Sequence, residues 1–289
     1  MHSALKGAGS RKELENEFNR RVPVLLYHHV GPWRPGTYRG LTVPPENFER
    51  QMRWLAHRGY TGSTPLDWLR WRGEGTGLPE KPIIITFDDA YADTAVYALP
   101  ILRRYGFGAV VFVVTGRMGG TNAWDEAEGC GTLQLMTADQ IRYWAGQGIE
   151  FGAHSRTHPD LTKLSVAERE AEIIGSKNDL SALLGLPVIS FAYPYGEYND
   201  AVRGLVRHEF DLGFSTEEGM NNLRSDRHLL RRICIGPNDS LVEFALFVWL
   251  NGAKRVRDHL SRFRMRIRLN SALRCISRKF SLREQSTSR

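Results

Sequence analysis

The chain has 289 residues, 42% of them hydrophobic and 25% charged, a composition that supports one sizeable globular core. No apolar run approaches the roughly 20 residues that span a bilayer, and the charged N-terminus has no apolar stretch behind it, so neither a membrane span nor a secretory signal is expected. The net charge of +7 is uneven: Lys254 to Arg289 holds twelve Lys and Arg against Asp258 and Glu284, or +10, which leaves residues 1–253 at −3.

An acidic body with no nucleic-acid-binding motif argues against a nucleic-acid partner, and a cytoplasmic location is expected. Cys130, Cys234 and Cys275 are widely separated and lack the paired spacing of a thiolate metal site or a disulfide framework.

In chain order, short β-branched runs alternate with longer amphipathic segments, the pattern of βα units around a parallel sheet. Strands are predicted at 22–28, 82–87, 109–115, 149–154, 188–193, 212–215 and 229–235. Helices are predicted at 46–57, 93–105, 137–147, 165–184 and 199–209, with a further one over Val242 to Leu250 that docks on the body. Ser165 followed by Glu168 is a capping box, and Gly106 and Gly185 stand where helix C-termini end. Seven strands fit either a closed barrel or an open doubly wound sheet. No G-x-G-x-x-G follows the first strand and no Walker loop occurs, which weakens nucleotide binding.

Three strand ends carry candidate chemistry. Ile83 to Phe87 runs into Asp88 and Asp89; one Asp suffices to cap a following helix, so a second calls for another explanation. Catalytic groups of barrel enzymes stand at such strand ends, which favours the barrel. The strand ending at Ala153 runs into His154-Ser155-Arg156-Thr157-His158, and histidines four apart on a helical turn reach a single metal ion. Two imidazoles and a carboxylate leave open positions for catalysis, although a chance pair among nine histidines is a plain alternative. Tyr193-Pro194-Tyr195-Gly196 forms a tight turn that presents the Tyr195 N–H, or is simply a turn.

As an ordered set, T-F-D-D, then H-S-x-x-H, then P-Y-G resembles the polysaccharide deacetylase family of carbohydrate esterases. The opening Pro23 to His28 strand and Asn122-Ala123-Trp124-Asp125 share the likeness, which runs from about Val22 to Ile235. The resemblance implies an α/β fold, a distorted (β/α)7 barrel over residues 22–252, between an N-terminal extension (1–21) and a basic tail (253–289). It implies one divalent ion, most readily zinc, on Asp89, His154 and His158. Asp88 would act as base on a metal-bound water attacking an N-acetylated saccharide, and the Tyr195 N–H would hold the oxyanion.

Two departures stand out. Ala192 occupies the place of an Arg that orients the catalytic Asp, and the late strand lacks a Leu-x-His general acid. Arg232 or Arg231 is the expected substitute for the first. His28, His29, His228 or water is the candidate for the second, with His28 preferred because it ends the first strand. Trp124 and Pro194 are placed at the substrate, Trp124 as a wall of the acetyl pocket or a cover on the mouth. Tyr27 and Tyr91 are assigned to packing. The rival functions are a glycoside hydrolase using Asp88 and Asp89, and a carbohydrate-binding protein that has lost catalysis. In the tail, Arg262 to Leu269 alternates cation and apolar residue, suiting either weak contact with an anionic membrane or a solvated appendage. The oligomeric state is not legible.

Overall fold

A computed structural model of the chain describes residues 19–33, 41–74, 79–128 and 132–250. The basic tail, nearly all of the N-terminal extension, Cys130 and Cys275 lie outside the described residues.

Seven parallel strands close into a barrel. They are β1 (Val24–Tyr27), β5 (Pro82–Phe87), β6 (Val110–Val113), β7 (Glu150–Ala153), β8 (Ser190–Ala192), β9 (Leu212–Glu218) and β10 (Leu230–Cys234). Their order is β1-β10-β9-β8-β7-β6-β5, and β5 returns to β1 with Leu26 opposite Thr86 and Tyr27 opposite Phe87. The alternative of an open doubly wound sheet is thereby settled in favour of the (β/α)7 barrel. Short β2 (His29–Val30) and β3 (Thr42–Val43) pair with each other, and β4 (Thr61–Gly62) adds to the outer start of β5.

Strand alternation divides the apolar residues into two sets. Val24, Ile84, Val110, Phe112, Leu212, Phe214 and Leu230 fill the barrel, whereas Leu25, Ile83, Ile85, Val111 and Val113 face the surrounding helices. The helices are α1 (Pro45–His57), α2 (Pro65–Glu74), α3 (Leu99–Tyr105), α4 (Ala138–Ala145), α5 (Val166–Leu184), α6 (Asp200–Glu209) and α7 (Leu241–Leu250). Helix α2, not foreseen from the sequence, joins the interior set through Trp68 and Trp71, which meet edge-on at 5.4 Å. It follows β4 at the strands' N-terminal end, and Arg72 donates to Ser225 O at 2.9 Å in the loop before β10.

Helix ends follow local chemistry. The Ser165–Glu168 box forms in full, and Gly106 and Gly185 take left-handed φ of 70° and 67°. The helix expected over 93–105 begins instead as a π-helical turn, Thr94–Ala98, before α3. Pro100 lacks the N–H that would bond one turn back, so the wider turn meets the loss.

Gly152 shows how tightly the barrel wall is packed below the site. A Cβ there would come within 2.5 Å of the Phe112 ring and 2.6 Å of Ser190 Oγ. Gly152→Ala is expected to cost about 1–3 kcal/mol of unfolding free energy in urea denaturation. An unchanged midpoint would show that the wall yields freely there.

Candidate active site

The three motifs meet at the C-terminal ends of β5, β7 and β8. Inward parity along β5 continues from Ile84 through Thr86 to Asp88, so this carboxylate enters the mouth of the barrel. Simple alternation would send Asp89 outward. Its backbone is left-handed instead, with φ of 70°, followed by Ala90 at 54°. The other non-glycine residues with positive φ among those described are Ser155, His158 and Tyr195, so all five lie on the loops carrying the three motifs. Such backbone costs on the order of 1–3 kcal/mol per residue and persists only where its surroundings enforce it.

This corrects one expectation. His154 and His158 do not share a helical turn; the segment is a bent loop in which left-handed turns at Ser155 (60°) and His158 (65°) bring the rings together. Ser155 Oγ accepts from the His158 N–H at 3.0 Å and holds that bend.

Asp88 is bonded twice by Arg232, from Nη1 to Oδ1 at 2.6 Å and from Nη2 to Oδ2 at 2.8 Å. Arg232 is fully buried; its Nε donates to Ser215 O at 2.8 Å and its Nη1 also to Thr86 Oγ1 at 3.2 Å. Of the two arginines weighed, Arg231 reaches the surface near Glu217, at 3.5 Å, while Arg232 takes the interior. Ala192 contributes its carbonyl, which accepts from His154 Nδ1 at 2.8 Å. Burial pushes the Asp88 carboxyl up, but the Arg232 guanidinium and His154 outweigh it and hold the carboxyl down at about 2.

Asp89 stands in the opposite environment. Its Oδ1 is buried with no hydrogen-bond partner and faces His154 Nε2 at 3.5 Å and His158 Nε2 at 3.4 Å. These residues offer one ligand atom each, all within 4.8 Å of one another. Burial, with Asp88 and Asp125 adding to it, raises the Asp89 carboxyl well above its usual range. Burial lowers both imidazoles. The His154 Nδ1 bond to Ala192 O fixes the tautomer that leaves the Nε2 lone pair aimed at Asp89. An orphaned carboxylate oxygen facing imidazole nitrogens, in a site that resists both charging the histidines and ionising Asp89, fits a divalent cation at its centre. The two carboxylates thus occupy different environments and do not form the facing pair of a glycosidase.

Trp124 stacks on His158, with centroids 4.7 Å apart and planes 26° apart, and Tyr195 meets the same ring edge-on at 4.5 Å. Pro194 is buried behind Tyr195, whose φ is 57° and whose side chain is half exposed. The candidate acids separate clearly. His28 lies close enough to Asp88, Arg232 and His154 to feel the charge of each, and burial lowers its pKa to about 4. His29 is tied to Thr42 Oγ1 at 3.2 Å and Asp93 Oδ2 at 2.7 Å. His228 bonds Phe210 O at 3.0 Å, before β10 and away from the mouth. Tyr27 packs outward with its hydroxyl on Gln51 Oε1 at 2.8 Å. Tyr91, assigned to packing alone, instead donates to Asp125 Oδ2 at 3.2 Å beside Asp89. In the sequence Asp125 belongs only to the Asn122–Asp125 likeness and has no role of its own, because a lone acid after Trp124 carries no spacing signature.

The chain is similar to known deacetylases in sequence and fold. Residues 75–211 match the polysaccharide deacetylase family. The Bacillus subtilis protein YxkH is 25% identical over 236 residues, covering 81% of this chain and 78% of that one. The poly-β-1,6-N-acetyl-D-glucosamine N-deacetylase of Staphylococcus aureus is 26% identical over 223 residues, 73% of each chain. Among solved structures, the Streptococcus pyogenes deacetylase PplD in complex with acetate superposes with a TM-score of 0.67 at 29% identity, over 77% of this chain and 96% of that one. Residues 75–211 thus carry the polysaccharide deacetylase match, and the chain's curated and structural relatives are named as deacetylases.

The Asp88–Arg232 pair has a signed pH consequence. A carboxyl lowered to about 2 gives stability that is full above the unfolded carboxyl pKa and lost as pH falls through about 2. In Arg232→Gln the main influence holding Asp88 down is gone and burial outweighs what His154 and His28 still supply, so the variant should lose about 3–5 kcal/mol near neutral pH. That loss should shrink toward about pH 4.5 as Asp88 takes up a proton. Urea denaturation at the two pH values tests this; a pH-independent loss would mean that the guanidinium contributes packing rather than charge.

Proposed function

We propose that the chain is a divalent-metal-dependent hydrolase that removes N-acetyl groups from an N-acetylated saccharide, with Asp88 as general base. The observation that carries this reading is the pairing of Arg232-bound, ionised Asp88 with the Asp89–His154–His158 ligand set next to it. A divalent ion, when bound by that set, supplies a Lewis acid that acidifies water and polarises the acetamide carbonyl. Two imidazoles and one carboxylate with open positions suit zinc.

Asp88 is ionised throughout the neutral range and takes the proton of the attacking water, while the two Arg232 bonds hold it in one orientation. The Tyr195 N–H, carried on its left-handed turn, donates to the carbonyl oxygen as charge builds there. His28 rests neutral. Negative charge accumulating on the reacting acetamide raises the proton affinity of His28, so it takes up the proton that Asp88 removed from the water and passes it to the departing nitrogen, which leaves Asp88 ionised again. Trp124 and Tyr195, with Pro194 behind, offer aromatic faces beside His158 for a sugar ring and its acetyl group. The Staphylococcus aureus relative supports an N-acetylglucosamine polymer as the substrate class.

Acetate release from N-acetylglucosamine oligomers, measured with metal content, tests the roles. Asp88→Asn is expected to keep its metal and lose about 10²–10⁴-fold in turnover. His154→Ala and His158→Ala should lose metal and activity together. Metal loss in Asp88→Asn with retention in Asp89→Asn would reverse the two carboxylates.

The proton donor is separable by leaving group. His28→Gln should fall by about 10²–10⁴-fold on an acetamide, yet hydrolyse an activated aryl acetate close to the wild-type rate, because that leaving group departs without a proton. An equal loss on both substrates would remove His28 as the acid.

A further inference from the structure

Helix α7 is apolar almost all the way round. Its inner face, Phe244, Phe247 and Val248, enters the core, where Phe244 meets Trp54 edge-on at 5.8 Å. Helical spacing gathers Leu241, Val242, Ala245, Leu246, Trp249 and Leu250 into a second stripe on the opposite side. Val242 and Trp249 are 69% and 72% exposed. All of the stripe but Leu250 forms one wall of a groove of about 560 Å³; Trp54 and Tyr60 form the other, and the charged residues in its lining are Arg58 and Lys81, with no carboxylate.

We propose that this face docks on the surface of an anionic lipid bilayer. Charge selects this occupant over two others. The segment that follows α7 carries +10 between Lys254 and Arg289, the same sign as Arg58 and Lys81, so the groove repels it. A second copy packed about a twofold axis would set a groove whose charged lining residues are Arg58 and Lys81 against an identical cationic groove, with no carboxylate to pair them. An anionic bilayer satisfies both features: its acyl boundary accepts the Leu, Val and Trp side chains, and its headgroups accept the two cations and the basic segment beyond. Tryptophan is suited to that interface. No helix among the described residues is long and apolar enough to cross a membrane, so the contact is superficial.

Orientation follows from the strands. Lys81 stands just before β5, whose other end carries Asp88, and its Nζ donates to Arg58 O at 3.0 Å at the end of α1. The groove therefore lies toward the end of the barrel opposite the mouth. Docking does not depend on the chemistry proposed for that mouth. If the deacetylase reading holds, the mouth faces away from the bilayer, toward a polymer rather than a lipid-borne sugar.

The test is cosedimentation of the full chain with vesicles of phosphatidylcholine alone or with phosphatidylglycerol, in low and high salt. Binding is expected only with the anionic lipid and should weaken as the Debye length shortens from about 10 Å at 0.1 M to about 3 Å at 1 M. Val242→Glu with Trp249→Glu should reduce partitioning at least about tenfold, with the basic segment intact. As a milder probe of the same contact, bromine-labelled acyl chains should quench tryptophan emission in the wild type and less in Trp249→Phe. Undiminished binding by the Val242 and Trp249 double variant, equal quenching in Trp249→Phe, or no binding by the wild type would overturn the proposal. So would a vesicle-independent dimer that the double variant abolishes, which would assign the face to a second copy.

Discussion

A buried bidentate pair between Asp88 and Arg232 organises the mouth of the barrel. Two charges in an apolar interior are costly, and an apolar pair of like volume would often stabilise a barrel equally well or better. What the pair supplies is an ionised carboxylate in one fixed orientation, with no water needed to keep it charged. The chain surrounds it with a polar layer: Ser215 O and Thr86 Oγ1 accept from Arg232, and Thr86 Oγ1 in turn donates to Leu25 O at 2.9 Å. The pair thus ties β10 to β5, the neighbours of β1 on its two sides in the closed ring.

Against that fixed charge, the neighbouring residue is made to do something else. Left-handed backbone at Asp89 and Ala90 breaks strand alternation and turns the second carboxylate toward two histidines brought together by similar turns. One peptide bond separates a carboxyl held low by a guanidinium from one pushed high by burial and its acidic neighbours. Adjacent residues of one type thereby acquire different proton affinities, which lets one serve as base and the other as ligand.

Much of this was legible in the sequence because it rests on local pattern. The seven barrel strands, the Ser165 box and the Gly106 and Gly185 caps follow from alternation and end chemistry. Arg232 could be named only together with Arg231, since the choice depends on which faces the interior. The His154–His158 turn was misread because i, i+4 spacing suggests a helix, whereas left-handed φ at Ser155 and His158 has no compositional mark. Trp68 and Trp71 were missed because α2 is short and interrupted by Arg70, Arg72 and Gly73. Tyr91 and Asp125 come from different loops, and only the closed fold sets them beside Asp89.

The account stands or falls on the ion that Asp89, His154 and His158 are arranged to hold. The most direct measurement is acetate release by metal-stripped protein titrated with zinc, on an N-acetylglucosamine oligomer. The account predicts negligible turnover without metal and full recovery at one equivalent per chain. Undiminished turnover by the stripped protein, or recovery that requires two equivalents, would contradict it.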